Sequence, residues 1–179
     1  GQGETRNSML VRHDYETVGK AIIDFLEQRD DVDVARIGAA GVSMGGYYAP
    51  RIACFEPRLK AVCSISGSYV VRVSPESPGR ASEPWWRFIA WTDSAEESAR
   101  IHGQRSLENI IGGMKCPYLV VNGKLDAQST YTNTEEIANE AKKAGVSVEY
   151  VLYEEGAHVC FNIPYKYRPL VGDWMAKNL

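Results

Sequence analysis

The sequence has 179 residues, 44% of them hydrophobic, which is enough for one globular domain with a real core but small for two. Its 20 basic and 23 acidic residues give a net charge of -3, so no single-sign field would attract nucleic acid or anionic lipid. No apolar run reaches the roughly 20 residues that span a bilayer, and the N-terminus lacks the apolar stretch of a signal peptide. We therefore expect a soluble protein whose partner is a small molecule, not nucleic acid or a membrane.

Short apolar runs alternate with longer amphipathic stretches, which is the pattern of βα units around a mainly parallel sheet. Three runs are nearly continuous, as in strands covered on both faces, whereas the last alternates with polar residues, as expected toward a sheet edge. The sequence predicts an α/β fold of about four mainly parallel strands, at residues 35–42, 61–66, 118–122 and 146–153.

Helical periodicity connects these strands and closes the chain. Connecting helices are predicted at residues 15–28, 44–55 and 134–144. A closing helix at 165–179 would pack Leu170, Trp174 and Met175 back on the sheet. The result is a single α/β domain over 1–179 in which each helix leads from one strand to the next.

Residues 69–111 break this pattern. The stretch begins rich in proline and then carries an aromatic cluster of Trp85, Trp86, Phe88 and Trp91, which predicts a short helix. We interpret the stretch as a lid-like excursion from the sheet. Two roles stay open for the cluster: Trp85 and Trp86 contact an aromatic or acyl substrate, or the cluster packs the core of the excursion.

The pentapeptide Gly41-Val42-Ser43-Met44-Gly45 fits the pattern G-x-S-x-G of a nucleophile elbow. The pattern is weak by itself, but an apolar run leads into it and a helical pattern follows, which gives the strand, sharp turn and helix that the motif needs. We expect both glycines to be required, because residues on either side of a serine at the tip of such a turn are pressed together. Ser43 is therefore the predicted nucleophile.

A serine hydroxyl becomes a good nucleophile only when a base takes its proton and an anion orients that base. Asp126 follows the third predicted strand and His158 follows the fourth, so both should meet Ser43 at the carboxyl edge of the sheet. The order serine, acid, histidine also fits this type of elbow. His13 and His102 do not follow strand ends. The sequence thus predicts a triad of Ser43, Asp126 and His158.

Four cysteines are spread along the chain without the close spacing of zinc ligands, so no metal site is predicted. Cys54, Cys63 and Cys116 lie in or beside apolar segments, where a free thiol behaves as a small hydrophobe. This usage favours reduced thiols and a cytoplasmic location.

With these residues placed, the chain resembles the α/β-hydrolase superfamily, in the branch of 2,6-dihydroxypseudooxynicotine hydrolase, fungal polyketide-shortening pigment hydrolases and FrsA-like proteins. The resemblance runs nearly end to end and is most specific around the histidine. Its motifs are GQGE at 1–4, GVSMGGYYAPR at 41–51, HVCFN at 158–162, YRP at 167–169 and DW at 173–174.

The resemblance implies a hydrolase of esters or of C–C bonds beside ketones that uses no metal or organic cofactor. It also implies that the chain matches only the C-terminal part of such a protein, so that the loop supplying one oxyanion donor would precede it. The backbone N–H of Met44 is then the expected remaining donor. Tyr47 is an expected substrate contact, and Cys160 is either a buried thiol or part of the site wall.

Two functions from different classes stay open. The first is a serine hydrolase in which His158 takes the Ser43 proton and later protonates the leaving group. The second is a binding or interaction module that keeps the fold without turnover. Because strand 35–42 would expose one edge, we expect a missing N-terminal portion or a second copy of the chain to cover it.

Overall fold

The sheet lies in the larger of two compact units, which comprises Tyr15–Tyr69 and Leu107–Leu179. The computed structural model describes residues 3–76 and 78–179, so the first two residues of the GQGE motif lie outside the described residues. Four parallel strands run in the order β1-β2-β3-β4, at Gly38–Val42, Ala61–Ile65, Tyr118–Gly123 and Val148–Tyr153. The predicted four-stranded parallel architecture is confirmed.

Burial of the strands follows their place in the sheet. β2 and β3 are buried along their whole length, and β4 is only partly buried, as predicted for an edge. β1 is shorter and more exposed than predicted, with Val42 42% exposed. The Asp33 side chain accepts a hydrogen bond from the Ala35 N–H at 3.1 Å and folds Val34–Arg36 into a 3-10 turn. The prediction of a fully covered strand from residue 35 is therefore wrong.

Helices surround the sheet at the predicted segments, with ends that differ by up to three residues. Along the described residues the α-helices are α1 Glu16–Leu26, α2 Met44–Phe55, α3 Pro84–Ile89, α4 Ala95–Gly103, α5 Tyr131–Lys143 and α6 Pro164–Asn178. In α6, Trp174 is buried in a core with alternate residues of β2 and β3, and Leu170 and Met175 pack against that core as predicted. None of the helices in the described part of the chain combines the length and the apolar character that crossing a bilayer needs.

The smaller unit consists of Val70–Ser106 and the segment that ends at Asp14, and it contains most of the predicted excursion. The predicted aromatic helix is α3, but it ends before Trp91, whose backbone is left-handed with φ 56. α4 follows, capped by the Ser94 side chain, which accepts a hydrogen bond from the Glu97 N–H at 3.2 Å. This second helix was not predicted from the sequence.

The two tryptophans predicted as substrate contacts have different surroundings within the smaller unit. Trp86 meets the ring of His102 edge-on, with 4.7 Å between centroids, and the Arg105 guanidinium lies 5.1 Å from its ring centroid. Trp85 is 53% exposed and stacks on Phe88 at 5.8 Å. For Trp86, these contacts favour the packing role.

Candidate active site

Ser43 occupies the sharp turn between β1 and α2. Its backbone has φ 53 and ψ -114, a conformation that costs a residue with a side chain about 1–3 kcal/mol. The Ser43 N–H donates to the Ile65 carbonyl at 2.8 Å, which ties the turn to the end of β2. The local geometry is therefore the strained strand-to-helix turn that the elbow motif predicts.

The two glycines of the motif are not equally constrained. A Cβ on Gly41 would lie 2.0 Å from the carbonyl oxygen of Gly45, a backbone atom that cannot rotate away. A Cβ on Gly45 would meet no atom within 4 Å. The expectation that both positions need glycine on steric grounds is correct for Gly41 and wrong for Gly45.

This difference gives a matched pair of substitutions. Gly41→Ala is expected to lower the free energy of unfolding by about 3 kcal/mol or more, because overpacking here is against backbone. Gly45→Ala is expected to change it by less than about 1 kcal/mol, since alanine favours the helix that begins there. Urea unfolding followed by circular dichroism compares the two variants. Equal losses of stability would contradict the steric argument.

The three residues of the predicted triad form one continuous chain of hydrogen bonds. Ser43 Oγ lies 3.0 Å from His158 Nε2, and His158 Nδ1 lies 2.9 Å from Asp126 Oδ2 and 3.0 Å from Oδ1. A carboxylate only accepts, so Nδ1 carries the proton of the neutral imidazole. The lone pair of Nε2 then faces the Ser43 hydroxyl, which is the geometry needed to take its proton.

Asp126 is held as a buried anion. Its side chain is fully buried, and Oδ1 also accepts the backbone N–H groups of Gln128 and Ser129, each at 2.8 Å. Burial by itself raises the pKa of Asp126, but the hydrogen bonds from His158 and from these N–H groups outweigh it and hold the pKa below the ordinary value. The carboxylate is thus charged at neutral pH and can orient His158.

The turn that follows His158 is strained and held from two sides. Val159 and Cys160 have left-handed backbones, with φ 59 and 54, and this region is unusual for a β-branched residue such as valine. The Val159 N–H donates to the Ser66 hydroxyl at 2.9 Å, and the Asn162 side chain accepts from the Ala157 N–H at 2.8 Å. The position of His158 therefore depends on residues outside the triad.

Three further residues, Met44, Tyr47 and Cys160, were predicted to belong to the site. Met44 is the first residue of α2, so its N–H has no acceptor within the helix and lies at the positive end of the helix dipole. Tyr47 is only 1% exposed, and its hydroxyl accepts from Arg51 at 3.1 Å. Its contact with substrate stays a prediction. Cys160 is fully buried, and burial raises its pKa to about 11, so the buried-thiol interpretation fits.

Sequence reasoning missed the polar residues that support the triad. Ser66 and Asn122 hydrogen-bond to each other at 2.7 Å, although both stand inside runs predicted as buried strands. The available signal was a polar residue at the carboxyl end of an otherwise apolar strand. Gly67 was also missed: a Cβ there would lie 2.3 Å from the Gly46 carbonyl oxygen, so it permits α2 to approach the end of β2.

A serine on a strained strand-to-helix turn, with the acid and the histidine following the next strands of a parallel sheet, is the arrangement of α/β-hydrolases. Comparison with known proteins confirms this class and the resemblance found in the sequence. Within the class, the chain belongs to the prolyl oligopeptidase family, whose sequence profile matches residues 14–179.

Individual relatives are hydrolases. The 2,6-dihydropseudooxynicotine hydrolase of Paenarthrobacter nicotinovorans is 30% identical over 179 residues, which cover 98% of this chain and 47% of that protein. Hydrolase ORFZ of Pyricularia oryzae is 43% identical over 77 residues, or 38% of this chain and 18% of its own length. The crystal structure of 2,6-dihydroxy-pseudo-oxynicotine hydrolase matches with a TM-score of 0.86 and 25% identity, covering 99% of this chain and 50% of that one. The chain spans half or less of the length of these relatives.

Proposed function

We propose that this chain carries the nucleophile, base and acid of a serine hydrolase, in Ser43, His158 and Asp126. The observation that carries the proposal is the unbroken chain of hydrogen bonds from Ser43 Oγ through His158 to Asp126, at 3.0 and 2.9 Å. The low pKa of Asp126 supports it, because an ionised acid is needed to stabilise a protonated histidine. Membership of a hydrolase family supports the reaction class.

In the proposed reaction, Ser43 Oγ bonds to the carbonyl carbon of the substrate while its proton passes to His158 Nε2. The Met44 N–H donates to the carbonyl oxygen as it becomes negative. When the tetrahedral intermediate collapses, His158 gives the proton to the leaving group, which is an alkoxide from an ester or a carbanion from a C–C bond beside a ketone. Water then attacks the acyl-enzyme, passing its proton through His158 back to the Ser43 oxygen.

The proposed substrates are small carbonyl compounds of two classes, esters and ketones with a cleavable neighbouring C–C bond. Both classes share the attacked carbonyl carbon and differ in the leaving group that His158 must protonate. A panel of short aryl esters, thioesters and aromatic β-diketones, tested on the full native protein, separates them. The four cysteines are buried and unpaired, which fits a reducing compartment, and we include a cytoplasmic location in the proposal.

A fluorophosphonate probe is expected to label the native protein, and the label is expected to disappear in Ser43→Ala, because only an activated serine attacks the phosphorus atom. Ser147 is an exposed serine in the same unit, so Ser147→Ala should label like the wild type. Mass spectrometry of the labelled peptide locates the adduct. Failure of the correctly folded wild type to react would reject the enzyme.

That outcome would favour a second candidate, a binding or interaction module that keeps the fold without turnover. One observation favours it: among the described residues β1 pairs only with β2, and Val42, beside the nucleophile, is 42% exposed. Open strand edges readily pair with another chain. We propose that further polypeptide, from an N-terminal portion or from a second copy of this chain, covers the unpaired edge of β1. This applies to the serine hydrolase and to the binding module alike.

A further inference from the structure

Ser66 is a buried serine with an unusual backbone, directly after β2. It is 1% exposed and has φ 52, a left-handed conformation that favours glycine. Its N–H donates to the Val121 carbonyl at 2.9 Å, which fixes the residue to the end of β3. A residue other than glycine keeps such a strained backbone only where its surroundings hold it. The hydrogen bonds of the Ser66 hydroxyl therefore need to be identified.

The hydroxyl takes part in a network in which each donor has an acceptor. Ser66 Oγ donates to Asn122 Oδ1 at 2.7 Å and accepts from the Val159 N–H at 2.9 Å. The Asn122 amide nitrogen donates to the Ser129 carbonyl at 3.0 Å and to Thr134 Oγ1 at 2.9 Å. Because a carbonyl oxygen only accepts, the orientation of the amide is fixed, and Ser66 is the donor in its bond with Asn122. The Ser66 hydroxyl also lies close enough to Asp126 to help hold the pKa of that carboxyl below its ordinary value.

This network connects the loops of two triad residues. Val159 is the neighbour of His158 in the chain, and the Ser129 N–H is one of the groups that hold Asp126 Oδ1, at 2.8 Å. The buried pair Ser66–Asn122 therefore ties the loop of the base to the loop of the acid from beneath the site.

We propose that Ser66, supported by Asn122, is a positioning residue that keeps His158 in line with both Ser43 and Asp126. The inference rests on the proposed function and adds a residue to it. The turn after His158 is left-handed at two successive residues, and such a turn keeps its shape only where its surroundings fix it. Without the Ser66 acceptor the Val159 N–H is buried and unpaired, the turn relaxes, and His158 Nε2 moves away from Ser43.

Ser64, two positions earlier and within β2, provides a matched control. It is fully buried like Ser66, and its hydroxyl is also hydrogen-bonded, but to the hydroxyl of Tyr118 at 2.7 Å. Ser64→Ala thus removes a buried serine hydrogen bond of the same length, whose partner stands at the start of β3 and not at the end that leads to Asp126. A general loss of stability would affect both variants, whereas a positioning effect belongs to Ser66 alone.

The test compares wild type, Ser66→Ala, Ser66→Gly and Ser64→Ala in the full native protein, each with its folding verified by near-UV circular dichroism. Glycine suits φ 52, so Ser66→Gly removes the hydroxyl without backbone strain. We expect fluorophosphonate labelling of Ser43 and kcat for an aryl ester to fall about 10²-fold in both Ser66 variants, with KM unchanged, as for a misplacement of about 1 Å. Ser64→Ala should stay within about threefold of wild type.

Imidazole nitrogen NMR gives a readout that does not need turnover. The chain has three histidines, so the His158 signals can be assigned by substitution. Wild type and Ser64→Ala should show one tautomer protonated at Nδ1, and the Ser66 variants a mixture. Equal labelling and equal spectra in Ser66→Ala and Ser64→Ala would overturn the positioning role and leave the proposed hydrolase standing. Loss of folding in both Ser66 variants would assign Ser66 a structural role, and an unreactive wild type would reject the hydrolase and this role with it.

Discussion

Asp126→Asn is expected to reduce kcat by about 10⁴-fold, equivalent to about 5 kcal/mol of transition-state stabilisation, while the sheet and helices stay folded. The substitution keeps the size and shape of the side chain. What it changes is the proton on His158. It is therefore the most selective test of the acid in the proposed triad.

The reason lies in how the two oxygens of Asp126 are used. Oδ1 accepts the N–H groups of Gln128 and Ser129, so the amide oxygen of an asparagine must take that place. The amide nitrogen then takes the place of Oδ2, 2.9 Å from His158 Nδ1, and donates to it. His158 must shift its own proton to Nε2, which faces Ser43 and can no longer accept the hydroxyl proton.

The measurement is kcat for a short aryl ester on the full native protein, with Asp30→Asn as the control. Asp30 is an exposed carboxylate before β1, and its substitution should leave kcat unchanged. Imidazole nitrogen NMR should show His158 protonated at Nε2 in Asp126→Asn. A variant with kcat within tenfold of wild type would remove Asp126 from the mechanism.

The same substitution has a pH-dependent effect on stability. The pKa of Asp126 is lower in the folded protein than its ordinary value of 3.8, so the charged form stabilises the fold at any pH above the pKa of the unfolded chain. This contribution is lost as the pH falls through the folded pKa. The stability difference between wild type and Asp126→Asn is therefore largest near neutral pH and shrinks below about pH 4.

The parts of the site that follow from the order of elements could be predicted from the sequence. Ser43, Asp126 and His158 each follow a strand of a parallel sheet, and hydrophobic periodicity is enough to find those strands. The start of β1 could not be predicted, because the Asp33 side chain captures the Ala35 N–H and competes with the strand.

Contacts between distant residues were beyond the reach of periodicity. Ser66 and Asn122 are 56 positions apart, and their hydrogen bond exists only because β2 and β3 end side by side. Tyr47 was expected to contact substrate, and its position among buried residues could not be predicted. Its hydroxyl accepts from Arg51, whose partner Glu16 comes from another helix. Neither the Ser66–Asn122 hydrogen bond nor the contact of Arg51 with Glu16 can be predicted from local sequence.

Glu16 is the basis of a second large expected effect, this one on stability. Arg51 and Glu16 form a two-pronged ion pair between α2 and α1, with distances of 2.5 and 2.8 Å and side chains only 11% and 18% exposed. The helices lie so close that a Cβ on Gly19 would be 2.5 Å from the Ile52 side chain. The hydrogen bonds that Arg51 donates to Glu16 raise the pKa of Arg51 against the opposing effect of burial, so the guanidinium stays charged.

Glu16→Gln is expected to lower the free energy of unfolding by about 3 kcal/mol, because it leaves the Arg51 charge largely buried without its anion. For a chain of this size the loss corresponds to a decrease of roughly 6–12 °C in Tm. The matched control is Asp31→Asn, since Arg29 and Asp31 form the same two-pronged pair with side chains 46% and 68% exposed. That loss should stay below about 1 kcal/mol.

A double variant separates the unpaired charge from the lost contact. Glu16→Met with Arg51→Met removes both ions, and it should be more stable than Glu16→Gln alone, because no buried charge remains without a partner. Urea unfolding of the wild type, the two variants and the control measures each difference directly. If Glu16→Gln and Asp31→Asn lost the same stability, burial would not govern this pair. The ion pair with α1 would then not be what holds α2, the helix that begins directly after Ser43, in place.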